Sequence, residues 1–339
     1  MTAELPVIAI GLVLATIPFV ALLVARRALI QARLNRQERI EEKVRPIATA
    51  FVFGDSQIPD HGLSPRESDA LATVLGRYAR LLSGQSRRLI ASYFERFGGV
   101  DRALRELRSA RAWRRATAAK RLGDMGSARA VKPLIACLED RSGEVRSVAA
   151  ESLGRLEAAA AAGPILAAVR DDRIARPTAG RALLRIGSGA TPELFAAAQS
   201  DDPKVRRLAI ELLVHVGSSA EAPLLADSLA DSSHDVRAKA SRGLGRLASN
   251  GEVRQVRMML ADAVPSVRAA AASGLGAIGD RDSIALLEYV AAGEREFAPA
   301  RAAARALTEI DPRRVIEADA RGAGPHIREA ADRIRNGLA

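Results

Sequence analysis

The chain is poor in the side chains on which most protein chemistry depends. Its 339 residues include one cysteine, four histidines and eleven aromatic residues. A lone cysteine excludes an internal disulfide and agrees with a reducing compartment. Cys137 stands in Leu134-Ile-Ala-Cys-Leu138, on the apolar side of a short helix, where a buried thiol is its expected role. The histidines, His61, His215, His234 and His326, are scattered, and none is followed by a glutamate, so no converging ligand set is expected. No phosphate-binding glycine loop is recognisable, because Gly123, Gly154 and Gly245 all sit where helices are expected to end. No Ser-His-Asp or Cys-His set can be assembled. The expectation is no catalytic residue, no metal and no cofactor: a binding protein rather than an enzyme.

What the chain has instead is repetition. Glu144-Val-Arg-Ser-Val-Ala-Ala-Glu-Ser-Leu-Gly-Arg-Leu156 returns as Asp235-Val-Arg-Ala-Lys-Ala-Ser-Arg-Gly-Leu-Gly-Arg-Leu247 and as Ser266-Val-Arg-Ala-Ala-Ala-Ala-Ser-Gly-Leu-Gly-Ala-Ile278. Aligning the last apolar residue of each copy gives Met125, Leu156, Ile186, Val216, Leu247, Ile278 and Ile310, in steps of 30 to 32. A period of this length marks a stack of small units rather than a single globular core. Each unit holds two short helices. The first carries an early proline (Pro133, Pro164, Pro192, Pro223), which suits a helix start. The second carries an apolar stripe such as Val236, Ala240, Leu244 and Leu247. Ala149, Ala240 and Ala271 keep it slim where neighbouring units pack.

Two polar series run with the repeat. Ten residues before the aligned positions stand Arg115, Arg146, Arg176, Arg206, Arg237 and Arg268, with Arg301 displaced by one. Fifteen or sixteen before stand Asp140, Asp171, Asp201, Asp231, Asp262 and Glu294. An acid in the inter-helix turn can meet an arginine at the start of a second helix, and the planar fork of arginine suits two carboxylates in adjacent units. This predicts a structural ladder.

The pattern Asp-x(4–5)-Val-Arg-x-x-Ala-x-x-x-Leu-Gly-x-Leu-Gly resembles HEAT repeats, specifically the short HEAT-like repeats of phycobilisome lyases, over about 100–339. The resemblance implies an all-α solenoid of about seven helical hairpins, closed by a shortened unit around His326-Ile-Arg-Glu-Ala-Ala-Asp-Arg-Ile-Arg. The unit at 162–187 departs most, because Ile174-Ala-Arg-Pro-Thr replaces the Val-Arg start and Pro177 falls in its helix. HEAT-like deoxyhypusine hydroxylases use His-Glu pairs, which this chain lacks, and a lyase-like enzyme subunit remains a further alternative.

Ahead of the repeats, Leu5 to Ala25 has no charged side chain and matches a bilayer core of roughly 30 Å. Arg26, Arg27, Arg33, Arg36, Arg39 and Lys43 follow it. The expectation is a single-pass anchor (1–25) in the cytoplasmic membrane, with the N-terminus outside and the repeats in the cytoplasm. A juxtamembrane helix and linker (26–63) follows, broken at Pro46, with residues 50–63 as the linker. A helical pair (64–99) opens on Ser64-Pro-Arg-Glu67 and serves as an N-terminal cap or a docking site.

The net charge of +11 concentrates early in the repeats. Arg102, Arg105, Arg108, Arg111 and Arg114 form a candidate patch for an anionic surface. Nucleic acid is the weaker ligand for it, since Trp113 is the only aromatic nearby for base stacking. On the second helices, Lys120, Arg155, Arg181, Arg185, His215, Arg242 and Arg246 fall on one face, expected to be the inner wall. The core positions recur while these vary, as a specific binding surface would. The functional expectation is a membrane-anchored scaffold that holds a protein partner. The alternative is an electrostatic platform for anionic lipid or nucleic acid.

Overall fold

A computed structural model describes residues 4–54, 62–82, 84–247 and 250–338. Among them every regular element is helical, and the chain divides into two compact units, residues 1–102 with 124–127 and residues 103–123 with 128–339.

The first unit contains one long helix, Glu4–Phe53, which continues through Pro46 rather than breaking there. The apolar run is therefore not an element of its own. It is the first part of a helix that runs on through the Arg/Glu stretch, and among the described residues no helix is long and apolar enough to cross a membrane. The expected single-pass anchor, its topology and the cytoplasmic-membrane location are corrected accordingly. Of the expected linker, residues 50–53 are helical and residues 55–61 lie outside the described residues. The expected helical pair is present as Pro65–Ala79 and Gly84–Arg96. Ser64 caps the first, with its backbone N–H donating to Glu67 at 2.9 Å while Glu67 N–H donates back to Ser64 Oγ. The end of the long helix joins this pair. Val44, Ala48 and Val52 are buried, Arg77 pairs with Glu41, and Phe51 meets Tyr93 edge-on at 6.1 Å. Leu81 lies beyond the helix end and is exposed.

The repeats fold as hairpins, each a first helix and a second. The pairs are Gly99–Glu106 with Ala112–Met125, Val131–Ala136 with Gly143–Arg155, and Ala162–Arg170 with Arg176–Ile186. Then come Thr191–Ala197 with Pro203–Val216, Ala222–Asp227 with His234–Leu247, and Asn250–Met258 with Pro265–Ile278. Ile284–Gly293 with Phe297–Ile310 and Pro312–Ala320 with Pro325–Arg335 complete the series. The expected short end is an eighth hairpin, and its second helix is indeed short, with 11 residues where most of the others have 13 or 14.

The second helices build the core. Three residues before each aligned position stands a leucine (Leu122, Leu153, Leu183, Leu213, Leu244, Leu275, Leu307), and seven before stands an alanine (Ala118, Ala149, Ala179, Ala209, Ala240, Ala271, Ala303). All fourteen are at 0% exposure. Each buried leucine stabilises by roughly 1.5–3 kcal/mol, but only once a neighbouring hairpin covers it.

Glycines set how closely the second helices approach. Gly123, Gly154, Gly245 and Gly276 lie within the last turn of their helices rather than ending them. A Cβ on Gly154 would stand 2.8 Å from Ala182 Cα, and one on Gly245 would stand 2.9 Å from Gly274 Cα. No relaxation of a side-chain tip relieves a clash with backbone. Gly180 differs, since its Cβ would meet only side-chain tips at ordinary contact distance, Leu208 Cδ1 at 3.7 Å and Leu212 Cδ2 at 4.0 Å. Gly154→Ala is expected to lower the unfolding free energy by about 1–3 kcal/mol in a urea titration, by overpacking. Gly180→Ala is expected to be neutral or to stabilise by up to about 1 kcal/mol through helix propensity.

Candidate protein-interaction face

The surface that the second helices present depends on what holds each one against the next. Six of the seven aligned second helices begin thirteen residues before the aligned apolar position, so their arginine sits on the first turn beside the inter-helix turn. Arg115 donates from Nε and Nη2 to the two oxygens of Asp140, at 2.7 and 2.8 Å, and from Nη1 to the carbonyls of Ser109 and Ala110. Arg206 does the same with Asp231, and Arg237 with Asp262. Arg268 reaches Glu294 at 2.7 Å and the carbonyls of Asp262 and Ala263. Each arginine therefore fixes its own turn and one carboxylate of the next hairpin, not two carboxylates as the ladder predicted. Each acid also accepts a backbone N–H two residues on, from Ser142, Ser233, Val264 or Glu296.

These side chains are half-buried or nearly buried, which strengthens the pairing relative to an exposed ion pair. Hydrogen bonds from Arg115, Arg237 and Arg268 hold Asp140, Asp262 and Glu294 below the usual carboxylate range, against the opposing effect of burial. At Asp231 burial is the largest effect, yet the bonds from Arg206 and Ser233 outweigh it. A pair that the series did not reveal joins the sixth and seventh hairpins. Arg257, on a first helix, donates to both oxygens of Asp280 at 2.6 Å and to Asp282 at 3.0 Å.

The ladder is incomplete in the middle. Arg146 finds the carbonyl of Arg173 at 2.7 Å in place of a carboxylate. Asp171 pairs instead with Arg170 and Arg173, within its own hairpin. Arg176 and Asp201, both expected members, are exposed and make no side-chain hydrogen bond or close ion pair among the described residues, although the Asp201 charge acts on Arg206.

With the second helices fixed side by side, equivalent positions come together on one face. Arg181 reaches Glu151 on the preceding hairpin at 3.2 Å, Lys239 reaches Glu211 at 3.0 Å and Arg207 reaches Asp235 at 2.7 Å. Lys120, Arg181, Arg185, His215, Arg242 and Arg246 are all exposed, while Arg155 is half-buried and donates to Ser152 Oγ. Among the described residues Lys120, Arg185, Arg242 and Arg246 have no carboxylate partner. His215 Nδ1 lies 2.8 Å from the Glu211 carbonyl, a contact within its own helix.

Arg105, Arg108, Arg111 and Arg114, of the second unit, are likewise exposed, with the Arg114 guanidinium 5.3 Å from the ring centre of exposed Trp113. Arg102 is exposed in the first unit. Cys137 is half-buried, and burial, then the Asp140 charge, pushes its thiol up to about 11, so it is protonated at neutral pH and poorly nucleophilic. Among the described residues no group of three or more His, Cys, Asp or Glu side chains is placed to hold a metal ion.

Because the ladder carboxylates titrate lower in the folded chain, their contribution is complete above the ordinary values of 3.8 for Asp and 4.5 for Glu. It is lost as the pH falls through the depressed folded-state values. The urea midpoint is therefore expected to fall as the pH drops below the ordinary carboxylate values, and Asp262→Asn to flatten part of that fall. Arg237→Lys keeps the charge but loses the fork, and is expected to cost about 1.5 kcal/mol at neutral pH.

Comparison with known proteins agrees with this architecture. The model for HEAT repeats matches residues 100–183, 165–245 and 229–308. Among solved structures, the Escherichia coli protein YibA is 18% identical, over 82% of this chain and 99% of that one, with a TM-score of 0.45. The complex of CpcE and CpcF of phycocyanin lyase from Nostoc sp. PCC7120 is 21% identical, over 43% of this chain and 98% of that one, with a TM-score of 0.40. Human deoxyhypusine hydroxylase in complex with glycerol is 22% identical, over 81% and 98%, with a TM-score of 0.32. At these identities and scores the likenesses say nothing of activity. No curated protein sequence matches significantly. With matches that together span residues 100–308, more than half its length, the chain belongs to the HEAT-repeat family.

Proposed function

We propose that the repeat array is a scaffold that binds an acidic protein partner on the face of its second helices. The observation that carries this reading is the contrast between invariant and varied positions on the same helices. The buried positions are leucine and alanine in every aligned hairpin. The exposed ones differ, and four of their cations, Lys120, Arg185, Arg242 and Arg246, have no carboxylate partner among the described residues. Such cations stay hydrated until a ligand supplies the opposite charge, and they serve specificity and association rate. The reading is of a binding protein without a catalytic step.

A second reading rests on Arg105, Arg108, Arg111 and Arg114. Their turn is held by Arg115 and by Arg141, which donates to the Ala110 carbonyl at 2.9 Å. A basic turn held this way suits a polyanion, and salt-sensitive binding of anionic vesicles or of duplex DNA by the full chain would favour it.

Reversal of Arg181, Arg185, Arg242 and Arg246 to glutamate together is expected to abolish recovery of a crosslinked, stoichiometric protein partner, with the helical circular dichroism unchanged. Undiminished recovery of the same partner would place its interface elsewhere.

A further inference from the structure

We infer that the junction between the third and fourth hairpins is the compliant joint of the array, so that hairpins one to three and four to eight move as two blocks. Three independent features converge there, and none depends on the partner-binding reading.

The arginine donor is out of place. The second helix of the third hairpin starts at Arg176, three residues later than the register of the others. Pro177 imposes this. Proline is tolerated in the first turn but not where its missing N–H and its ring would break an established helix. In five of the other aligned hairpins the arginine is the fourth helical residue and in the seventh the fifth, whereas here it is the first, and it projects into solvent.

The acceptor is missing as well. Arg206 donates to the carbonyl of Ser200, as Arg237 does to that of Asp231 and Arg268 to that of Asp262. Ser200 also accepts the N–H of Asp202, as Asp231 accepts that of Ser233. Ser200 therefore occupies the acid's place in the fourth hairpin, and the expected Asp201 is one residue off. Only the exposed pair of Lys204 and Asp172, at 3.0 Å, crosses this junction as an ion pair among the described residues.

The third feature is the absence of close backbone packing. Where helices approach most nearly, a glycine two residues before the aligned position (Gly123, Gly154, Gly245, Gly276) faces Ser152, Ala182, Gly274 or Ala306 of the next hairpin. Between the fourth and fifth hairpins, Gly243 makes room for Val214. Between the third and fourth, the equivalent residues are Leu184 and Leu212, neither of them small, and Leu184 is 42% exposed. Apolar burial of leucine side chains remains, but it is non-directional and tolerates small rotations better than a two-bond fork or a backbone contact. In an array where each repeat contacts only its neighbours, the weakest interface is where the stack bends and opens first.

Spin labels on equivalent exposed positions test this in the full chain carrying Cys137→Ala. Arg181→Cys with Arg242→Cys spans the joint, and Arg242→Cys with Arg305→Cys spans the same number of hairpins without it. Double electron–electron resonance is expected to give a distance distribution about twofold broader for the first pair. Equal widths overturn the inference. Should a labelled variant fail to fold, hydrogen exchange on the unmodified chain decides. Amides of Arg176–Ile186 and Pro203–Val216 are expected to exchange at least about tenfold faster than those of His234–Leu247 and Pro265–Ile278. Equal rates overturn it too.

Discussion

The bond from an arginine on one hairpin to a carboxylate in the turn of the next is the constraint on which the order of this array depends. A hairpin of two short helices leaves its apolar face uncovered, and stacking covers it, but burial alone fixes neither rotation nor height. The fork does. Arg115, Arg206 and Arg237 each grip two carboxylate oxygens ahead and two carbonyls of their own turn, while the acid caps the backbone of its turn. Every polar atom in the set has a partner, so the desolvation cost of a half-buried charge pair is offset by directed bonds. Glycine in the last turn then lets the backbones close to contact.

Most of this was legible in the amino-acid order, because it follows from periodicity. The hairpins, their early prolines, the small residues of the second helices and the identities of Arg206, Arg237 and Arg268 with Asp231 and Asp262 all follow from spacing. What spacing alone misplaced has local causes. Asp201 satisfies the count of fifteen or sixteen, but the turn conformation selects Ser200, one residue earlier. Gly154 and Gly245 look like helix ends, yet lie inside helices because a neighbouring backbone occupies the space of a Cβ. Pro46 looks like a helix breaker, and the helix runs through it. The apolar run at the N-terminus matches a bilayer in length, yet it belongs to one continuous helix that carries charge along its next stretch. Arg257 with Asp280 falls outside both series, so no count could have found it.

The exposed face was legible only as a list of positions. Repetition indicates which residues share a helix face, but not which cations a neighbour neutralises. Arg181 has Glu151 within reach, whereas Arg185, Arg242 and Arg246 do not have such a partner among the described residues. A constant core beneath a varied surface separates the two roles of the repeat: leucine, alanine and the arginine fork specify the stack, and the remaining positions are free to serve recognition.

The most direct test of the central claim is a double-mutant cycle on one rung, with Arg206→Ala, Asp231→Ala and the double variant unfolded in urea at neutral pH. A real inter-hairpin fork predicts a coupling energy of about 1.5–3 kcal/mol between the two sites. Additivity within about 0.3–0.5 kcal/mol would contradict it, and would leave apolar burial as the sole determinant of the stack.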